Sequence, residues 1–308
     1  MRMDAENVYW HLPGFCYFRQ LNYGVITLME EYPEAFREGY KIGSVYGTFP
    51  GAIWNGGRVV MGIAGKRDIE AILNLYNSKG VPVRFTWTNS VLEEKHTYDT
   101  YCNLIMRLAD NGINQVLVNS PVLTDYIRRE YPRFPLISST TKRIIDPERL
   151  FRELEEDYFL VVLDYDLNHN EEVLKKLEEH GSGSVEILVN EVCTPGCTRR
   201  AEHYEQQSRA QLAFDVKDIF PCPNANPNKT FAECMRRPAF ISNDEIGNYI
   251  RRGFVNFKIA GRGMPLQYVL DAYLYYLVKE NRTDFIRRKL NSMLAGLSKP
   301  AGKIRQGK

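Results

Sequence analysis

Four cysteines fall late in the chain and close together: Cys193, Cys197, Cys222 and Cys234, all within 42 residues. The first two form Cys193-Thr194-Pro195-Gly196-Cys197, in which Pro-Gly supplies a tight turn that can aim both sulfurs at one point. Cys222 stands between Pro221 and Pro223, and Cys234 follows twelve residues later. Four thiolates suit zinc or an iron–sulfur cluster. Structural zinc sites favour paired Cys-x-x-Cys knuckles, and neither pair has that form. A radical-SAM cluster needs a third cysteine just beyond Cys197, where Thr198, Arg199 and Arg200 stand instead. A helix beginning at Thr198 sets its N-terminal dipole, with Arg199 and Arg200, beside the sulfurs and favours a net-negative thiolate centre. Cys16 and Cys102 each sit alone among aromatic and apolar neighbours and read as buried packing thiols.

Something must position that centre, and the alternation along the chain says what. Runs rich in β-branched and aromatic residues recur at Ile42–Phe49, Val81–Trp87, Gln115–Asn119, Leu136–Thr140, Phe159–Asp164, Val185–Asn190 and Val255–Ile259, with a weaker one at Ala239–Ser242. Helical patterns separate them. Strand–helix alternation repeated eight times closes a (β/α)8 TIM barrel more naturally than it extends an open sheet. The expected layout is a capping segment over residues 1–40 with a helix near Asn22–Arg37, and a barrel over 41–281. A cysteine-bearing loop occupies 193–237, and a final helix and disordered basic tail occupy 282–308. The stretch Phe214–Arg237 is long, proline-rich and aperiodic, as functional loops are.

A chain of 308 residues, 44% of them apolar, can bury one large core. A formal charge of only +2 argues against a strongly basic nucleic-acid binder. No apolar run reaches the ~18 residues that mark a membrane span. Met1 to Trp10 holds two acids and no apolar core of signal-peptide length. The expectation is a cytoplasmic protein with reduced or metal-bound cysteines.

In a parallel barrel the C-terminal strand ends form the functional face. Candidate ligand-binding residues there are Asn55, Arg58, Asn89, Asn119, Asp164, His169 and Asn190, with Arg262 after the last strand. Lys258 alternates with Phe257 and Ile259, so it should face inward, where a lysine must find an anionic partner. Lys258 and Arg262 are the candidate catalytic pair. Peptidase chemistry has little support: the sequence holds no His-Glu-x-x-His and no Gly-x-Ser-x-Gly.

The C-terminal stretch is the most distinctive. Ile241-Ser242-Asn243-Asp244-Glu245 leads a helix, then Arg252-Gly253-Phe254-Val255-Asn256-Phe257-Lys258-Ile259-Ala260-Gly261-Arg262, then Met264, Tyr268-Val269 and Tyr273. This resembles the GV-x-x-lKIEGR-x-x-x-x-YV ending of the collagenase-like peptidase family U-thirty-two, over roughly residues 110–280. The resemblance implies a barrel and a [4Fe–4S] cluster on the four late cysteines. It also implies a part in oxygen-independent hydroxylation of an RNA base or small aromatic substrate, with prephenate as oxygen donor. Two departures stand out. Ala260 replaces the family's glutamate, and Asn190-Glu191-Val192-Cys193 replaces its longer His-Gly-Ala-Leu-Cys signature. Three functions follow: a cluster-bearing enzyme, a non-catalytic cluster-bearing partner subunit, or a zinc-bound protein that interacts with RNA or another macromolecule.

Overall fold

The apolar runs become strands, and each places one face on surrounding helices. The computed structural model describes residues 7–215, 220–222 and 230–297. Its eight parallel strands close a barrel in chain order: β1 Val8–Pro13, β2 Tyr40–Gly47, β3 Val83–Trp87, β4 Gln115–Val118, β5 Leu136–Ser138, β6 Leu160–Val162, β7 Val185–Leu188 and β8 Asn256–Lys258. β1 closes the ring by pairing with both β2 and β8, with His11 opposite Lys258.

The barrel therefore starts earlier than the sequence reading placed it, inside the supposed cap. Val8–Pro13 was missed because it is short, isolated at the N-terminus and carries His11 and Pro13. The helix expected near Asn22–Arg37 is α1, Arg19–Glu31, the ordinary crossover between β1 and β2, and it stops ahead of Pro33. Ala239–Ser242 is not a barrel strand. Phe240 makes only an isolated antiparallel bridge to Asn190, and the Ile241 N–H donates to the Val189 carbonyl. Residues 1–6, 216–219, 223–229 and the tail from 298 lie outside the described residues, and with them Pro223, Pro227 and the expected disordered end.

The helices start where side chains can satisfy free N–H groups. α2 is Lys66–Asn77, α3 Glu94–Thr97, and α4, Thr100–Ala109, is capped by Asp99. α5 is Pro121–Glu130, and α6, Pro147–Glu155, follows its Asp146 cap with proline in the first turn. α7 is Glu171–His180, α8 Arg200–Ala213 and α9 Phe231–Cys234. α10, Asn243–Arg251, opens with a Ser242–Glu245 capping box. α11 is Leu266–Leu277, and α12, Thr283–Leu297, returns along α1, where Phe285 packs on Tyr32 and Lys289 Nζ donates to its hydroxyl at 3.0 Å.

The barrel interior is charged. Arg84, Glu186, Lys258 and His11 all point inward and are buried. Arg84 pairs with Glu186, and Lys258 Nζ lies 3.2 Å from the other carboxylate oxygen. His11 Nδ1 meets the Ser44 hydroxyl at 2.9 Å and its Nε2 meets Glu186 at 3.3 Å, so the proton belongs on Nε2 with Ser44 donating to Nδ1. Burial, then the Arg84 charge, pushes His11 down to about 3, which keeps it neutral. Gly43 makes room for the ring, since a Cβ there would lie 2.7 Å from it. Burial alone would raise the Glu186 carboxyl, but Arg84 and Lys258 outweigh it and hold it far below the usual carboxylate range. Lys258 is pushed down to about 8 by burial, against the pull of Glu186.

Removing the carboxylate strands two buried cations, so Glu186→Gln should cost about 3–5 kcal/mol in urea unfolding. A depressed carboxylate stabilises above its unfolded pKa. The wild type should therefore lose stability as pH falls below ~4.3, and the variant should lose less over that window.

Candidate metal centre and barrel mouth

β7 delivers the cysteine loop to the C-terminal face. Asn190, just past the strand, is fixed by three bonds: its amide nitrogen donates to the Ala260 carbonyl at 2.9 Å and meets the Tyr268 hydroxyl at 3.0 Å, and its oxygen accepts from the Ala260 N–H at 2.6 Å. This residue is a clasp between β7 and β8 rather than a free ligand group. Glu191 follows. Its Oε1 accepts from the backbone N–H groups of Val192 and Cys193, and its other oxygen lies 3.2 Å from buried Arg200. Arg200 stacks over Tyr165 at 3.9 Å and donates to Tyr204 at 2.8 Å. The turn that presents Cys193 is thus held by a carboxylate that is itself held by α8.

Beyond Glu191 lies a cavity of about 270 Å³, lined among others by Cys193, Cys197, Cys222, Arg199, Arg200 and His203. Burial first, then Glu191, Cys197 and Cys222, pushes the Cys193 thiol up to about 12. Three of the four expected ligands therefore share one cavity. The fourth does not line it. Cys234 is buried in α9, and its Sγ donates to the Asn190 carbonyl at 3.3 Å. All six cysteines are free thiols, and Cys102 is buried as expected. No three metal-ligating side chains stand around a single point among the described residues. Three sulfurs and an imidazole nevertheless border one space next to two arginines. His203 was not singled out from the sequence, although it stands one helical turn beyond Arg200. Burial lowers its pKa, which leaves a neutral imidazole, the metal-binding form.

The barrel mouth holds Arg58 and Arg262. Arg262 donates to the Thr86 hydroxyl at 2.9 Å, and to Asn55 Oδ1 and the Gly56 carbonyl, both at 3.2 Å. All three acceptors are neutral, and no ion pair reaches Arg262 or Arg58 among the described residues. Gly57 leaves space for the guanidinium, since a Cβ there would approach it to 3.1 Å. Burial pushes Arg262 down to about 10, still charged at neutral pH.

Lys258 faces inward as the sequence predicts, but it is 5% exposed and its partner is Glu186, with its ammonium over the Tyr46 ring at 4.4 Å. Asn55 is an inner support of Arg262. Asn119 donates to Thr141 at 2.8 Å. Asn89 braces the loop between β2 and α2 by donating to the Ile53 carbonyl, and it also donates to the Ser208 carbonyl of α8. His169 is 44% exposed and lies 3.7 Å from Glu245 at the start of α10. Asp164 accepts two bonds from Arg143, at 2.5 and 2.6 Å, while Arg143 also donates to Asp166 at 2.7 Å. These bonds hold Arg143 in a left-handed conformation, φ 54°, which costs a residue with a side chain about 1–2 kcal/mol.

No family model matches the chain. The chain is 27% identical over 184 residues to the uncharacterized protease MJ1657 of Methanocaldococcus jannaschii, covering 57% of this chain and 54% of that one. It therefore spans about half the length of the relative it matches. The solved structure of the U32 peptidase Mk0906 superposes with a TM-score of 0.53 at 16% identity, over 86% of this chain and 97% of that one, which shows a shared fold. Together these support the family that the Gly253–Arg262 motif resembles.

Arg143→Ala should lower stability by leaving Asp164 buried and unpaired. Arg143→Gly loses the same ion pairs but relieves the left-handed backbone. In thermal melts it should therefore be the more stable of the two by about 1 kcal/mol.

Proposed function

We propose that this chain is an iron–sulfur-binding barrel protein of the U32 type, acting in oxygen-independent hydroxylation with a small anionic ligand at its mouth. One observation carries the metal part: Cys193, Cys197 and Cys222 line one cavity at the end of β7, beside Arg199 and Arg200. Those thiols would hold the cluster, and such a cluster supplies one-electron transfer. The reaction class rests on the family resemblance.

The chain's own residues would do the rest. Arg262 is braced by Thr86, Asn55 and Gly56 and carries no carboxylate partner among the described residues. It can therefore offer a preoriented fork to a carboxylate such as those of prephenate. Arg58 raises the local positive charge and weakens the hold of the proton on Arg262. Lys258 is enclosed with Glu186 and acts as a structural counter-charge, so ligand binding falls to the arginines.

A second reading, a cluster-bearing partner without chemistry of its own, is favoured by Ala260, which puts a methyl where the family carries a carboxylate.

Cys193→Ser, Cys197→Ser and Cys222→Ser should each strip most iron and sulfide from anaerobically purified protein, while Cys16→Ser keeps both. Full iron in all three cavity variants would rule out the centre. Calorimetry with prephenate should show heat that disappears in Arg262→Ala. Wild-type protein that holds iron but binds no prephenate would favour the partner reading.

A further inference from the structure

We infer that Arg58 and Arg262 form one two-cation clamp at the barrel mouth, in which Arg58 selects doubly charged anions, a dicarboxylate or a phosphate, over singly charged ones. The inference rests on the reading of the mouth as an anion site and deepens it. It is independent of the metal centre.

The two arginines come from different loops and cross. Arg58 stands between β2 and α2, and Arg262 follows β8. Each guanidinium lies over the glycine beside the other arginine. A Cβ on Gly57 would approach Arg262 Nη2 to 3.1 Å, and one on Gly263 would lie 3.4 Å from Arg58 Nε and 3.9 Å from its Cζ. Both glycines are left-handed, with φ 72° and 78°, a path that ordinary side chains resist. The fold thus brings two like charges together, and the charge of Arg58 acts on Arg262.

The nearby carboxylates are already engaged. Asp164 and Asp166 both pair with Arg143, and Glu191 pairs with Arg200 and accepts two backbone N–H groups. The Arg58 guanidinium makes no hydrogen bond among the described residues, so its donors stay available. Its backbone is nevertheless fixed. Asn55 Nδ2 donates to the Arg58 carbonyl at 2.5 Å and to Gln211 Oε1 at 3.3 Å. Gln211, on α8, accepts from the Val60 N–H at 2.7 Å and donates to the Val60 carbonyl at 3.3 Å. The loop that presents Arg58 is therefore braced before a ligand arrives, which lowers the cost of ordering it on binding. A singly charged anion can neutralise one guanidinium and leaves the other unpaired. A doubly charged one meets both, and paired guanidinium forks suit two carboxylates or the oxygens of one phosphate.

The test is calorimetry in a weakly alkaline buffer of low ionic strength, with malonate, inorganic phosphate and acetate as probes. Wild type, Arg58→Gln and Arg58→Lys are compared, each with a circular-dichroism melt. Wild type should bind malonate, phosphate or both about tenfold or more tightly than acetate, the weight of one added charged hydrogen bond. Whichever of the two binds tells a dicarboxylate site from a phosphate site. Arg58→Gln should bind the dianions no better than acetate, with its acetate affinity unchanged. Arg58→Lys should recover much of the preference, because it keeps the charge. Arg58→Ala replaces a glutamine variant that fails to fold. The clamp is overturned if wild type binds malonate and phosphate no more tightly than acetate, or if folded Arg58→Gln keeps the preference. It is overturned equally if that variant weakens all three anions alike, as loss of a purely structural residue would. A prephenate titration separates this outcome from the function proposed above. If malonate or phosphate binds and prephenate does not, the clamp stands and the prephenate reading falls. If prephenate binds wild type and Arg58→Gln equally, the clamp falls and that reading stands.

Discussion

A carboxylate sealed inside a barrel must be neutralised, and Glu186 sets the terms for this one. Its burial is complete, so its charge survives only because Arg84 and Lys258 reach it from β3 and β8. Barrel interiors are ordinarily filled with branched apolar side chains. Here three strands contribute charge, and His11 and Ser44 extend the network to β1 and β2. The pairing acts across the barrel and not along neighbours alone, since β3 and β7 are not adjacent in the ring. It therefore ties the two halves of the cylinder together and fixes which face of each contributing strand points inward.

The same strand links this interior to the chemistry. β7 carries Glu186 in mid-strand, and the chain beyond it carries Asn190, Glu191 and Cys193. Register fixed by Glu186 is passed to Asn190, whose amide holds the backbone of Ala260 past β8. Glu191 then holds the N–H of Cys193 from below and is itself held by Arg200. The cysteine turn is thus referenced to two rigid bodies, the sheet and α8. A site built on such supports keeps its geometry better than one built on a loop alone.

Much of this was legible in the residues, and the gaps have physical causes. Seven strands and most helices declared themselves by periodicity and caps, and Lys258 between Phe257 and Ile259 gave its inward direction. The same alternation was present in Val83-Arg84-Phe85 and Val185-Glu186-Ile187, and reading the three together would have paired the charges. β1 was hidden because six residues with a histidine and a proline make a weak run, and only closure of the ring demands it. The cysteines signalled a centre, but spacing cannot say which sulfurs share a cavity, because the intervening loop decides. His169 and Asn89 looked like mouth residues from sequence position alone. Side-chain direction at a loop is not periodic, and each turned to a nearer partner, Glu245 for one and Ile53 and Ser208 for the other.

Ala260 gains meaning from this electrostatic setting. Alternation along β8 and the residues beyond puts position 260 on the face of Lys258, toward the mouth. A glutamate there, as the resembled family carries, would stand between two cations and become the counter-ion of one of them. With alanine, Lys258 keeps Glu186 to itself, and Arg262 is left with neutral acceptors only. Burial of a guanidinium without a carboxylate is unfavourable, and an incoming anion relieves it. Alanine in place of the glutamate that the resembled family carries therefore leaves a mouth with more unbalanced positive charge. Such a mouth favours the proposed anionic ligand over a neutral one, because an anion supplies the counter-ion that Arg262 lacks among the described residues.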